Sequence, residues 1–237
     1  MKKPALPGLT AAFLLATLSS LSAQSTRQVA FRTLCLQYVD DLKSALAPVK
    51  KADAAEVRLF TGGFSPVYTG QFQGGTAALF VDDPSAKEGK RPIAQGKLGS
   101  SDRQLFLILP DPQKKLPYRI YCMDDDTASF PMGTVRFLNL APYEARLELA
   151  GAKMPEVKPG GSKTYPRVTA IDEWKMYQAR IEFKKPDGSW ATISSPSWKS
   201  SVRKRDLVIP TIDPATKRPK IYNYQDIPPW LEAPPEE

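Results

Sequence analysis

Histidine is missing altogether from the 237 residues, and cysteine occurs only twice. Without an imidazole there is no Ser-His-Asp triad, no Cys-His dyad and no histidine metal ligand. Two thiols cannot complete a four-cysteine zinc site. Acidic residues are the minority charge, 25 against 33 Lys plus Arg, which leaves a formal charge of +8. Beyond residue 23 no apolar stretch approaches the ~20 residues that a membrane-crossing helix needs. What the chain has in excess is proline. Its 23 prolines are about twice the average share of roughly 5%, a composition that disfavours long helices and favours short segments joined by turns. Hydrophobic residues at 42% and charged residues at 24% are those of an ordinary folded chain.

The N-terminus reads as an export leader. Lys2 and Lys3 precede an apolar stretch from Ala5 to Leu18, and Leu21-Ser22-Ala23 supplies a small residue for cleavage before Gln24. The expectation is a signal peptide over residues 1–23 and an exported mature chain, in the periplasm, at the outer membrane or outside the cell, with no transmembrane segment. Shedding the two leader lysines lowers the formal charge to +6. No cysteine follows the cleavage region, so a lipid anchor is not expected. Cys35 and Cys122 remain, each in an apolar strand-like run. In an oxidising compartment they can form a disulfide, which would close a long loop and stabilise by ~4 kcal/mol on the chain-entropy model. Equally they can be two buried free thiols. The spacing permits both.

Apolar residues then alternate at period two: Leu34, Leu36 and Tyr38; Val57 and Leu59; Tyr118, Ile120 and Cys122; Val135 and Phe137; Leu147 and Leu149; Ala179, Ile181 and Phe183. The continuous run Gln104–Leu109 suits a strand buried on both faces. Turn signals separate these runs, and Pro186-Asp187-Gly188 between two strand patterns is the best hairpin signal. One short helix is expected from Asp40 to Ala47, stopped by Pro48. The pattern predicts an all-β chain of two tandem immunoglobulin-like β-sandwich domains, at residues 27–128 and 129–230, followed by a Pro-rich acidic tail at 231–237. The break falls in the polar stretch Asp124–Ser129. Glu56-Val57-Arg58-Leu59 and Glu144-Ala145-Arg146-Leu147, each followed by similarly spaced Gly and Pro, suggest that the two blocks are copies.

Phe130-Pro131-Met132-Gly133-Thr134-Val135-Arg136-Phe137-Leu138-Asn139-Leu140-Ala141-Pro142, with the later Lys158-Pro159-Gly160-Gly161 turn, Trp198 and Arg205–Ile209, resembles the second half of small secreted β-proteins of Verrucomicrobia-type bacteria. The resemblance covers about half the chain. It implies export, an all-β fold and a place in the cell envelope, with a faint link to surface appendages, and it implies no activity.

Motifs that carry chemistry are few. Gly160-Gly161-Ser162-Lys163-Thr164 lacks phosphate-loop spacing because Ser162 separates Gly161 from Lys163. Ser201-Val202-Arg203-Lys204 lacks the partner motifs of serine acylases. Asp124-Asp125-Asp126 offers oxygens to a hard cation but no surrounding ligand loop, and reads as a solvated boundary turn. No catalytic residue, cofactor or metal ligand is expected. The run Arg203-Lys204-Arg205, with Lys199 nearby, is the sharpest charge feature, and suits either an anionic envelope polymer or the guarding of a strand edge. Nucleic acid is not expected as a ligand of an exported chain. Trp174, Trp190, Trp198 and Trp230 gather in the second block, where Trp190 and Trp198 would suit sugar stacking. The expected function is non-catalytic: protein–protein interaction as a scaffold, adhesin or appendage-assembly component. The alternatives are a carbohydrate-binding module and, further off, a carboxylate-based glycan hydrolase.

Overall fold

A computed structural model describes residues 25–49, 54–113 and 115–230. The proposed leader and the acidic tail lie outside the described residues. Among those described there is no helix, and the chain is all-β. The first eight strands are β1 (Thr26–Cys35), β2 (Ser44–Ala47), β3 (Ala55–Arg58), β4 (Tyr68–Gln73), β5 (Thr76–Asp82), β6 (Lys90–Lys97), β7 (Arg103–Pro110) and β8 (Tyr118–Asp124). They form one sheet in the order β3-β2-β5-β6-β8-β7-β1-β4. The sheet curls until its ends approach, and Gln71 N in β4 donates to the Pro48 carbonyl just past β2 at 2.7 Å.

The helix expected over Asp40–Ala47 does not form. Asp40 and Asp41 take left-handed backbone angles (φ 49° and 58°), which Asp tolerates better than most residues. Ser44–Ala47 then pairs with β3, and Leu46 also pairs with Phe80 of β5. Tertiary pairing outweighs the weak helical spacing of Leu42, Ala45 and Leu46.

The second half contributes β9 (Val135–Leu138), β10 (Ala145–Leu149), β11 (Ala152–Lys153), β12 (Ser162–Tyr165), β13 (Met176–Lys184), β14 (Trp190–Ser194), β15 (Ser197–Lys199), β16 (Arg205–Ile212) and β17 (Pro219–Asp226). Two sheets result, β12-β9-β16-β17 and β11-β10-β13-β14, with β15 also pairing β13. The β13–β14 hairpin turns at Pro186-Asp187-Gly188, where Gly188 has φ 82° and the Asp187 carboxylate accepts from Ser189 N at 2.9 Å.

The halves share one topology. β4-β1-β7-β8 and β12-β9-β16-β17 have the same sequence of pairings: antiparallel, then parallel, then antiparallel. Likewise β3-β2-β5-β6 corresponds to β11-β10-β13-β14. The registers align residues. Arg32 lies opposite Leu105 and Arg136 opposite Leu207, while Leu105 faces Met123 and Leu207 faces Tyr224. Three repeated patterns then become visible: Arg-x-Leu-x-Leu at Arg32–Leu36 and Arg136–Leu140; Arg-x-Leu, with Asp-Pro following, at Arg103–Pro112 and Arg205–Pro214; and Ile-Tyr-x3-Asp at Ile120–Asp125 and Ile221–Asp226. The echo between residues 56–59 and 144–147 is a different match. It sets β3 beside β10, whereas the topology sets β3 beside β11 and β2 beside β10.

Period-two alternation distributes the apolar residues over three cores. Val29, Phe31, Cys35, Phe106, Ile108, Tyr118 and Ile120 fill the curled first half. Val135, Phe137, Leu147, Ile181 and Val208 fill the space between the two sheets of the second half. The opposite faces of β1, β7, β8, β9 and β16 meet in a third core of Leu34, Leu105, Leu107, Met123, Leu138, Leu207 and Ile209. This explains the run Gln104–Leu109, buried at every position, because β7 has a core on each side. The equivalent sheets of the two repeats pack face to face.

Candidate functional site

Arg32, Asp125, Arg205 and Asp226 are buried together at one end of the shared core, each 0–2% exposed. β1 supplies Arg32, the residue just past β8 is Asp125, and β16 and β17 supply Arg205 and Asp226 as a cross-strand pair. Arg32 grips Asp226 with two parallel bonds, Nη1–Oδ1 and Nη2–Oδ2, both 2.8 Å, and reaches Asp125 Oδ2 at 3.0 Å. Arg205 bonds Asp226 at 2.8 Å, Asp125 through Nη2, and the Phe130 carbonyl at 2.7 Å. Two guanidiniums balance two carboxylates, which meets the condition for burying charge. Burial pushes the Asp125 carboxyl up, and the two guanidiniums pull the other way.

Aromatic rings flank this group in a repeated way. The Phe130 ring stacks with Arg136 (4.3 Å) and Arg205 (4.2 Å), and the Trp230 ring with Arg32 (4.7 Å) and Arg103 (5.8 Å). In the repeat alignment Arg136 corresponds to Arg32, and Arg205 to Arg103. Burial and the nearby Arg205 push Arg136 down to about 10, and it bonds the Asp124 carbonyl at 2.9 Å. The solvated turn expected at Asp124–Asp126 is therefore a junction whose three carboxylates separate. Asp124 holds Ser100 Oγ (2.6 Å), Asp125 joins the buried charges, and Asp126 accepts from Ser129 N (2.8 Å). No group of metal-ligating side chains is found among the described residues.

The basic run does not form a patch. Strand alternation sends Arg205 into the buried group, whereas Lys204 pairs with Asp206 at 2.8 Å, and only Arg203 lines a surface cleft. Nor do Trp190 and Trp198 make a platform. Trp198 is 9% exposed in the second core, edge-on to Tyr177, and Trp190 lies under the Arg146 guanidinium at 4.0 Å. Trp198, buried in this way, cannot stack on a ligand, and the half-buried Trp190 spends one face on Arg146. Cys35 and Cys122 are free thiols. Cys35 opposes Ile108, Ile108 opposes Ile120, and Cys122 stands two residues further along β8. Two strand spacings alone set them about 10 Å apart, beyond the reach of a disulfide.

The described cleft richest in cations takes up Arg203. It holds about 420 Å³ and is lined by Arg167, Glu173, Trp174, Lys175, Lys199 and Arg203, together with Ser200–Val202. Trp174 is 72% exposed, the most exposed large hydrophobic side chain described. Its turn is fixed from behind, because Asp172 Oδ1 accepts from Trp174 N (2.9 Å) and Met176 N (2.8 Å). Lys175 takes a left-handed φ of 60°, and its carbonyl accepts from Ser200 N at 2.8 Å. Ser200 Oγ donates to the Val168 carbonyl at 2.7 Å. The β12–β13 and β15–β16 connections are thereby tied around one opening. Sequence reasoning grouped Trp174 with its neighbours without singling it out. The available signal was a lone aromatic among charges, Asp172-Glu173-Trp174-Lys175, outside any strand alternation.

No helix among the described residues is long and apolar enough to cross a membrane. Comparison with known protein families and with curated proteins gives no match for this chain.

Proposed function

We propose that the chain is an exported, non-catalytic binding protein of the cell envelope, built from tandem immunoglobulin-like units and serving as a scaffold, adhesin or assembly component for a protein partner. The observation that carries this reading is the outer edge of β17. In the first repeat the equivalent strand, β8, is covered on that side by β6, where Ala94 pairs Tyr118 and Gln95 pairs Arg119. In the second repeat no described strand of the chain covers β17, which pairs only with β16. Natural edges are guarded by proline and lysine. Here Pro219 and Lys220 guard one end, and Ile221–Gln225 carries no charge. Such an edge accepts an extended partner segment by backbone hydrogen bonding, in the position that β6 occupies in the first repeat.

A photo-crosslinker placed at the exposed Asn223 tests this in envelope extracts of the producing cell. One discrete adduct, absent when the crosslinker sits at the exposed Glu88 between β5 and β6, is the expected result. Identical adducts from both positions, or chaperones alone, would remove the reading.

A further inference from the structure

The Trp174 cleft marks where the two repeats part company. In the first repeat β4 and β5 are joined by Gly74-Gly75 alone, whereas the equivalent β12 and β13 are joined by residues 166–175. The added loop brings Arg167, Glu173, Trp174 and Lys175 to the cleft, and the β15–β16 connection brings Ser200–Arg203 from the other side. The loop packs Val168 and Ile171 against the second core and leaves Glu173, Trp174 and Lys175 exposed. Added loops on a rigid frame are where binding residues concentrate.

The chemistry of the opening is specific. Four cationic side chains surround it against the single carboxylate of Glu173. Beside them an indole face is held out to solvent by a turn that Asp172 fixes. The indole stands on a loop pinned by the hydrogen bonds to Asp172. Flat indole plus clustered cations matches a ligand with an apolar face and anionic substituents on its rim. We infer that this cleft binds an acidic saccharide. The C–H face of one sugar ring stacks on Trp174, and its carboxylate or sulfate groups meet Lys175, Lys199 and Arg203. Single-stranded nucleic acid fits less well, because it is held by successive aromatic platforms along a basic groove, and here there is one platform in a short cleft. This site is separate from the β17 edge, so the failure of either proposal leaves the other standing.

Calorimetric titration of the full chain with trigalacturonate and with a heparin tetrasaccharide tests the inference, with maltotriose and oligo(dT) as the contrasting probes. At least one acidic oligosaccharide should bind, more weakly as salt rises, and shift the tryptophan emission to the blue. Trp174→Ala should weaken binding at least tenfold and abolish the spectral shift. The pair Lys175→Ala with Lys199→Ala should weaken it and flatten the salt dependence. All three positions are exposed, and an unchanged circular-dichroism spectrum verifies the fold of each variant. The inference is overturned if neither acidic probe binds, if maltotriose binds equally well, if oligo(dT) binds more tightly, or if Trp174→Ala binds like the parent.

Discussion

Arg205 shows how little a residue's type says about its role until its strand is placed. In the sequence it belongs to a run of three cations, yet in the fold it is fully buried between Asp125 and Asp226. Arg205→Met would leave two buried carboxylates sharing one guanidinium, and removing one partner of such a group costs about 3–5 kcal/mol. Urea unfolding should show that loss, while Lys199→Met on the exposed rim of the cleft should stay within about 0.5 kcal/mol of the parent. The cysteines make a second case. Burial pushes the Cys35 thiol up from 9.0 to about 11 and Cys122 up to about 12. A thiol whose folded value lies above its unfolded value holds its proton in the native state. Above pH 9 the unfolded chain gives that proton up and the folded chain does not, so stability falls from about pH 9 toward the folded values. Melting temperatures measured from pH 8 to pH 10 should decline, and the decline should be shallower in the Cys35→Ala, Cys122→Ala variant. An equal slope in both proteins would mean the thiols do not titrate this way.

Strands and hairpins differ in how far local sequence specifies them. The β13–β14 hairpin is legible because Pro186-Asp187-Gly188 carries its turn conformation locally. β7 is legible as a doubly buried strand because every position of Gln104–Leu109 is apolar or amide. β2 is not legible, since its partners β3 and β5 lie elsewhere in the chain. The junction of β6 with β8 is equally hidden. It consists of two parallel residue pairs, and beside it a Cβ on Gly96 would stand 2.1 Å from the Ile120 carbonyl oxygen. Glycine is needed there for close backbone approach, not for an unusual φ. Gly96→Ala must push the two strands apart, and overpacking of this kind costs about 1–3 kcal/mol. Gly62→Ala, which meets nothing within 4 Å, is the matched control. Equal urea midpoints for the two variants would show that the junction contributes nothing to stability.

At the scale of the molecule, the third core joins the repeats. Leu34, Leu105 and Leu107 from one side meet Leu138, Leu207 and Ile209 from the other, with the buried charges closing one end. Neither half can unfold without exposing that surface and breaking the Arg32–Asp226 and Arg205–Asp125 pairs that join them. Differential scanning calorimetry should therefore record one cooperative transition with equal calorimetric and van't Hoff enthalpies. Two resolved transitions would show that the halves melt independently. The candidate site was less legible than the fold, and for a definite reason. Alternation and turn chemistry are local, so the sequence by itself determined that the chain is all-β, where many of its turns lie, and which strand is apolar on both faces. Which face each charged or aromatic residue occupies depends on pairing between strands distant in the chain. Only the tertiary structure decided that Arg205 is buried while Arg203 lines a cleft, that Trp198 is core while Trp174 is presented, and that the true repeat runs through Arg32 and Arg136. A one-residue step along a strand reverses the side chain's direction, and only the assembled sheets say which direction meets water.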